Sequence, residues 1–178
     1  DDHAPEVYEK SCQNLRDFVS GGTFQRDPVD CYYIYEQTMG GHVQVGLMGG
    51  VSAQEYEDGL IKKHELTRRD KEDDRAHHVD VQDANTEPVM LTYRARPEID
   101  ALVEYVRDQM APVYDFVADD GIRHRLWVVS APKQVRSFQE AFASVDALYV
   151  ADGHHRTAAG YRVRNLRRER TPGHTGDE

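Results

Sequence analysis

The sequence has few cysteines, no long apolar run and no excess of basic residues. Cys12 and Cys31 are the only cysteines among 178 residues, so neither a disulfide framework nor a cysteine-based metal site is expected. Reduced thiols are the favoured interpretation, and one disulfide is the open alternative. No apolar run approaches the roughly 18 residues of a membrane helix. The first ten residues are polar and acidic, unlike a secretory signal peptide. We therefore expect a cytoplasmic protein with no membrane partner.

The charge balance is acidic. Acidic residues number 32 and basic residues 22, which gives a formal net charge of −10. Proteins that coat DNA or RNA need positive surface, so the balance argues against a nucleic-acid partner. The last predicted helix is a local exception, with arginines at positions 156, 162, 164, 167, 168 and 170. A solvated helix face is the favoured interpretation, and an anion or nucleic-acid site is the alternative.

Length and pattern predict one α+β domain. A chain of 178 residues fits a single domain, and 39% hydrophobic residues suffice for a core. Helical and strand patterns alternate without the regular rhythm of a doubly wound sheet, which favours the α+β class. Because the first residue is not Met and Thr175-Gly-Asp-Glu178 resembles a helix start, we expect residues 1–178 to be one domain truncated at both ends.

Local sequence patterns predict the positions of helices and strands. Periodicity, prolines at first turns and capping residues predict helices at 5–20, after Ser52, at about 67–83, from Pro97, from Pro132, and at about 154–169. Alternation and turn signals predict strands at 32–38, 43–51, 89–93, 112–118, 122–129 and 148–151. Gly40-Gly41 and Asp119–Gly121 predict hairpins. Thr67 stands at a capping position for the very polar helix that follows.

The strongest chemical motif is Ala151–Arg156 (Ala-Asp-Gly-His-His-Arg), between an apolar strand and a helix. The first N–H groups of a helix have no internal partner, and the helix dipole favours anions there. Gly153 allows the backbone to approach a ligand closely. His154, His155 and Arg156 add donors and charge. The motif therefore predicts a phosphate or carboxylate site; the alternative is that Asp152 only caps the helix and Gly153 only makes the turn.

A second motif is Lys62–Glu65 (Lys-Lys-His-Glu), followed by Thr67 and Arg75. A histidine beside a carboxylate, here His64 and Glu65, can support general acid–base catalysis. Lys62 and Lys63 can offset phosphate charge. From the residues alone, an exposed charged loop before a charged helix is the favoured alternative.

The remaining histidines do not predict a metal site, and two common metal- and nucleotide-binding motifs are missing. His77 and His78 are adjacent on a predicted helix and point in different directions, so we interpret them as surface or packing residues. The zinc motif His-Glu-x-x-His is not formed, because Arg68 stands where its second histidine would be. No phosphate-binding loop of the Gly-x-x-x-x-Gly-Lys-Ser/Thr type occurs, so any nucleotide must bind without one.

Four segments carry a family resemblance. Ile61–Thr67, Lys71–Arg75, Asn85–Pro88 before Leu91–Tyr93, and Ala151–Arg156 resemble, in this order, a widespread prokaryotic family long classed as a domain of unknown function. That family is similar to free serine kinases of the ParB/sulfiredoxin superfamily. The resemblance implies a ParB/sulfiredoxin-like core with a mixed sheet, hairpins and flanking helices.

The resemblance also implies residue roles. It makes Glu65, preceded by His64, the base for a serine hydroxyl, and it places the nucleotide phosphates at Asp152–Arg156. Asp152 would then orient a histidine or a water bound to Mg²⁺. Lys62, Lys63, Thr67 and Arg75 would complete the phosphate site. The implied cofactors are ATP or ADP with Mg²⁺.

The leading hypothesis is a kinase, a phosphotransferase that acts on an alcohol group. It would carry out nucleotide-dependent phosphoryl transfer to a small hydroxyl substrate, free L-serine being the best guess. The main alternative is a non-catalytic nucleotide-binding, ParB-like regulatory module. A metal-dependent hydrolase that uses the histidines is a third class. The sequence does not indicate the oligomeric state or which residues would bind a metal ion.

Overall fold

A computed structural model describes residues 4–173 and 175, and it shows the α+β fold that the sequence predicts. The elements in chain order are α1 (Pro5–Ser20), β1 (Tyr32–Met39), β2 (His42–Met48), α2 (Ala53–Glu57), β3 (Ile61–Lys62), α3 (Arg69–Gln82), β4 (Met90–Thr92), α4 (Pro97–Gln109), β5 (Tyr114–Val117), β6 (Arg123–Val129), α5 (Pro132–Phe142), β7 (Leu148–Asp152) and α6 (His154–Arg170). Within the described ranges, no helix is both long and apolar enough to cross a membrane.

The chain divides into two compact units. The first combines the residues up to Arg26, Ser52–Tyr93 and the residues from Ala147 onward. The second combines Asp27–Val51 with Arg94–Asp146. That residues 1–178 are one truncated domain stays a prediction.

The second unit is built on an antiparallel sheet of order β2-β1-β6-β5. Both predicted hairpins, β1-β2 and β5-β6, are present. Strand β2 ends at Met48, earlier than predicted; Gly49 follows, where a Cβ would lie 2.6 Å from the ring of Tyr32. The core holds Ile34, Trp127 and Phe138, to which α4 and α5 contribute apolar faces.

A buried carboxylate lies inside the second unit. Glu36 of β1 is 1% exposed and accepts hydrogen bonds from Arg107 of α4 and Arg125 of β6. Burial raises the pKa of this carboxyl, but the bonds from the two arginines outweigh that effect and hold the pKa below its ordinary value. Glu36 thus joins two strands and a helix.

The first unit is built on a mixed sheet of order β3-β7-β4. Strands β3 and β7 are parallel, whereas β4 and β7 are antiparallel. Ile61 and Val150 are each 1% exposed and pack with Tyr56 and Ala158, so α2 and α6 cover the sheet. Helix α6 also packs on α3 through Ala76, Ala159 and Val163.

Most arginines of α6 pair with carboxylates, which the sequence did not predict. Arg162 binds Glu72 and Asp73, while Arg167 binds Asp80 and Asp83. Arg170 also binds Asp80, and Arg164 binds Glu57 of α2. The acidic surfaces of α2 and α3 lie against α6, so Arg162, Arg164 and Arg167 are half-buried in ion pairs and do not form the expected solvated face. Arg170 is paired but exposed. Arg168 is exposed.

The start of α3 differs from the prediction. The residue at its N-cap is Arg68, whose side chain makes no capping bond, and Thr67 donates its hydroxyl to Glu72 instead. The prediction that Thr67 caps this helix was therefore wrong. His77 and His78 of α3 pack against Tyr8, with ring centroids 4.3 and 4.5 Å away, and His77 is also exposed, in agreement with their interpretation as surface or packing residues.

Candidate functional site

Parallel pairing brings the two predicted motifs to one end of the sheet. Ile61 pairs with Leu148 and Lys62 with Tyr149, so β3 and β7 run side by side in the same direction. The carboxyl ends of parallel strands meet at one edge, so the segments that follow both strands leave the sheet together. The segment after β3 carries His64 and Glu65, and the segment after β7 carries Gly153 and the start of α6.

Gly153 shapes the entry to α6. It is the N-cap residue and has a left-handed backbone with φ 93°. A Cβ there would lie 2.9 Å from Nε and Nη2 of Arg156 and from Cγ1 of Val89. Both facts require glycine. Among the residues that the structure describes, no side chain makes a capping bond at this helix start, and Asp152 binds Arg156 instead. The alternative that Asp152 only caps the helix is therefore wrong.

A cavity of about 310 Å³ lies at this helix start. Polar and charged side chains dominate its lining, which comprises Glu65, Arg75, Glu87, Ala151, Asp152, Gly153, His154, His155 and Arg156. Glu65 and Asp152, far apart in the sequence, thus line the same cavity. With neutral histidines, the three carboxylates of the lining outnumber its two guanidinium groups.

Two carboxylates hold Arg156. Its Nη1 donates to Glu87 at 3.0 Å and its Nη2 donates to Asp152 at 2.6 Å. Nε of Arg156 is buried and has no hydrogen-bond partner among the described residues. The two carboxylates therefore fix the direction of the guanidinium. Glu87 was not among the predicted site residues. It lies in Asn85–Pro88, one of the segments that carry the family resemblance, but no local sequence pattern links it to Arg156.

Glu65 meets the first residue of α6. Its Oε2 lies 3.4 Å from Nδ1 of His154. The His154 side chain is 5% exposed, and its Nε2 is buried without a hydrogen-bond partner in the part of the chain that the structure describes. The ring of His64 stands at 85° to that of His154, with centroids 4.4 Å apart. One ligand atom each of His64, Glu65 and His154 fall within 4.8 Å of one another.

The remaining predicted residues separate into two groups. His155 and Arg75 line the cavity, and Nε2 of His155 accepts a hydrogen bond from the backbone N–H of Arg68 at 3.2 Å. Lys62, Lys63 and Thr67 do not line it. The ammonium of Lys63 lies 4.2 Å from the ring centroid of Tyr56, a cation–π contact, and the hydroxyl of Thr67 binds Glu72. Lys62 is exposed on β3.

The structure defines an α+β protein with a polar, carboxylate-rich cavity at the start of a helix. Residues 1–178 match the model of a family described as "Protein of unknown function (DUF1015)", and the chain belongs to this family. Its expected membership of a family of unknown function is therefore confirmed. No curated protein and no solved structure matches the chain.

Proposed function

We propose that the cavity at the start of α6 carries out nucleotide-dependent phosphoryl transfer to a small hydroxyl substrate. The observation that carries the proposal is the meeting of Glu65 with Asp152, Gly153 and Arg156 around one cavity of about 310 Å³. A candidate base and a candidate phosphate site share this space. Phosphoryl transfer depends mainly on positioning and electrostatic stabilisation, so a small set of residues suffices.

The start of α6 is suited to phosphate oxygens. The first backbone N–H groups of a helix have no partner within the helix, and no side chain caps them here. The helix dipole adds partial positive charge at the same point. Gly153 has no side chain to block approach, and the charged side chain of Arg156 lines the same cavity. These features support a role for Gly153–Arg156 in holding the phosphates.

The excess of negative charge in the lining favours binding of a divalent cation. Glu65, Glu87 and Asp152 already outnumber Arg75 and Arg156, and nucleotide phosphates add further negative charge. Carboxylate oxygens are the ligands that Mg²⁺ prefers, and it binds proteins through one or two of them together with substrate phosphates. Asp152 and Glu87 are the residues suited to hold it. Bound there, Mg²⁺ would supply charge neutralisation at the phosphates.

Glu65 is the candidate base. Its side chain is 60% exposed, and it lines the cavity, so a substrate hydroxyl can reach its carboxylate. General base catalysis of this kind contributes roughly 10²–10⁴-fold to a rate. The contact with His154 holds the carboxylate toward the start of α6, and His64 borders the same group.

The substrate class follows from resemblance. The motifs around Glu65 and at Asp152–Arg156 resemble those of free serine kinases in the ParB/sulfiredoxin superfamily, and a ParB/sulfiredoxin-like core is part of the proposal. Free L-serine is therefore the proposed acceptor and ATP or ADP the donor. The enzyme would be a phosphotransferase that acts on an alcohol group.

Phosphoserine formation tests the proposal. Purified protein is incubated with L-serine, Mg²⁺ and either ATP or ADP, and the product is followed by phosphorus NMR. We expect product from the unaltered protein, loss of product in Glu65→Gln, and unchanged nucleotide affinity in that variant by calorimetry. Glu140→Gln, which changes an exposed carboxylate on α5, is the matched control and should keep full activity.

The other outcomes are equally informative. Nucleotide binding without product in any protein would replace the kinase with the non-catalytic nucleotide-binding, ParB-like regulatory module. Near-normal turnover in Glu65→Gln would remove Glu65 from the role of base. Failure to bind either nucleotide would overturn both versions.

A further inference from the structure

We infer that His64, Glu65 and His154 form a binding site for a divalent transition metal ion, with Zn²⁺ as the preferred occupant. These residues are called the His-Glu-His cluster below. One ligand atom from each falls within 4.8 Å of the others. The inference goes beyond phosphoryl transfer and does not require it, because metal binding can be measured without nucleotide or serine.

The spacing fits a small ion. Zinc lies about 2.0–2.2 Å from histidine nitrogen and carboxylate oxygen, and a tetrahedral arrangement then separates ligand atoms by roughly 3.3–3.5 Å. Nδ1 of His154 and Oε2 of Glu65 are 3.4 Å apart, so this pair already has the required separation. The ligand atom of His64 lies within 4.8 Å of the other two, and a bound ion would have to draw it closer through rotation of this exposed side chain.

His154 is the ordered member of the cluster. Its side chain is 5% exposed, and Nδ1 faces the carboxylate of Glu65, so Nδ1 is the nitrogen that an ion between the two residues would take. Nε2 lies on the other side of the ring and is not part of the metal site. The first turn of α6 holds this ring, which gives the cluster one rigid ligand.

The donor set selects the metal. Two imidazoles and one carboxylate suit zinc and its neighbours in the transition series, whereas Mg²⁺ and Ca²⁺ prefer oxygen ligands. Three protein ligands also leave a coordination position free, as in catalytic zinc sites. Glu65 and His154 line the cavity, so a ligand inside it could reach that position. The tertiary structure thus supplies the second histidine that the sequence motif around Glu65 lacks.

The experiment measures zinc affinity directly. Metal-free protein without an affinity tag is titrated with Zn²⁺ against a chromophoric chelator, and with Co²⁺ to record the visible absorption bands of nitrogen and oxygen ligation. We expect one ion per chain, not displaced by a large excess of Mg²⁺. His64→Gln and Glu65→Gln should each weaken zinc binding by at least ~10-fold, since losing even an outer-shell partner costs that much.

Two variants serve as matched controls. His155→Gln changes the neighbouring histidine, whose Nε2 already accepts a bond from Arg68, and Glu87→Gln changes a cavity carboxylate bound to Arg156. Both should leave zinc affinity unchanged. Because His154 is buried and its loss can unfold the protein, the decision rests on His64 and Glu65, which are exposed.

Equal zinc affinity in the unaltered protein, His64→Gln and Glu65→Gln would overturn the inference, and so would the absence of zinc binding. In the second case the contact between Glu65 and His154 is only an ion pair or hydrogen bond. This proposal and the proposed function fail separately. If the protein binds zinc but forms no phosphoserine, the zinc site is supported and the proposed kinase activity is not. If it forms phosphoserine but binds no zinc, the kinase activity is supported and the zinc site is not.

Discussion

Oε2 of Glu65 lies 3.4 Å from Nδ1 of the buried His154, although one residue follows β3 and the other begins α6. The parallel pairing of β3 with β7 creates this contact, because it makes both chain segments leave the sheet at one end. The proposed phosphoryl transfer and the proposed zinc site both require Glu65 to lie at the start of α6. In one, Glu65 acts as a base beside a phosphate site, and in the other it is a metal ligand.

Replacement of Gly153 by alanine should impair the cavity. The left-handed backbone at φ 93° costs an alanine roughly 1–2 kcal/mol. The added Cβ would also lie 2.9 Å from Val89 and from the guanidinium of Arg156, which must move away from Asp152. We expect lower stability by denaturant unfolding and weaker nucleotide binding by calorimetry.

Gly59→Ala is the matched control for that variant. Gly59 lies in the same compact unit with φ 74°, but a Cβ there meets nothing within 4 Å. It should lose stability through backbone strain alone and keep its nucleotide affinity. Equal nucleotide affinity in the two variants would contradict a role for Gly153 in ligand approach.

Arg156→Lys should weaken nucleotide binding. The guanidinium contacts Glu87 and Asp152 at once and keeps a buried Nε, whereas an ammonium group cannot reproduce this forked geometry. Loss of one charged hydrogen bond to phosphate corresponds to a decrease in affinity of about 10-fold or more. Calorimetry with ATP and ADP measures the decrease. Arg168→Lys, at an exposed position of the same helix, should have no effect; an equal decrease there would mean that the loss at Arg156 is not specific to the cavity.

Glu36→Gln should destabilise the protein and make its free energy of unfolding less dependent on pH in acid. Breaking a buried pair costs about 3 kcal/mol, the low end of the usual range, because Arg107 and Arg125 are partly exposed. In the folded protein the pKa of Glu36 lies below its ordinary value, so its contribution is complete above the unfolded pKa of ~4.3. That contribution is lost as the pH falls through the folded pKa.

Urea unfolding between pH 7 and pH 3 checks this prediction. The unaltered protein should lose more stability over that interval than Glu36→Gln does. Glu104→Gln changes an exposed carboxylate on α4 and should behave like the unaltered protein. A Glu36→Gln variant with the full acid response would assign that response to other carboxyl groups.

Arg167→Gln should loosen the contact between α3 and α6. Arg167 binds the carboxylates of Asp80 and Asp83 and the carbonyl of Asp80. The pKa of Asp80 is lowered, with the hydrogen bond from Arg170 as the largest cause and Arg167 as a further one. Both arginines therefore stabilise the same anion. We expect a loss of about 1 kcal/mol that shrinks at high salt. Thermal melts at low and high salt measure it, and Arg168→Gln should match the unaltered protein in both.

Much of the local structure could be predicted from the sequence. Pro5, Pro97 and Pro132 each begin a helix, because proline is pre-organised for a first helical turn. Gly40-Gly41 connects β1 and β2 as expected. The capping prediction failed at Thr67, because Glu72 offers its hydroxyl a different acceptor within the same short segment.

The candidate site was predictable in parts. The Ala151–Arg156 motif identified a strand, a turn and a helix start, since each depends on neighbouring residues only. Glu87 was missed because its importance comes from one ion pair with Arg156, across a separation that no local pattern encodes. The ion pairs of Arg162, Arg164 and Arg167 were missed for the same reason, since their partners lie on α2 and α3.

The sequence by itself determined most of the helices and strands, though not the two-residue strand β3, together with the α+β class and the two motifs that could carry chemistry. These properties follow from backbone preferences and side-chain periodicity over a few residues. Only the tertiary structure decided that β3 pairs in parallel with β7, that Glu65 meets His154, and that α6 turns most of its arginines toward α2 and α3. Such contacts join residues distant in the chain, and burial and charge pairing of the whole fold select them.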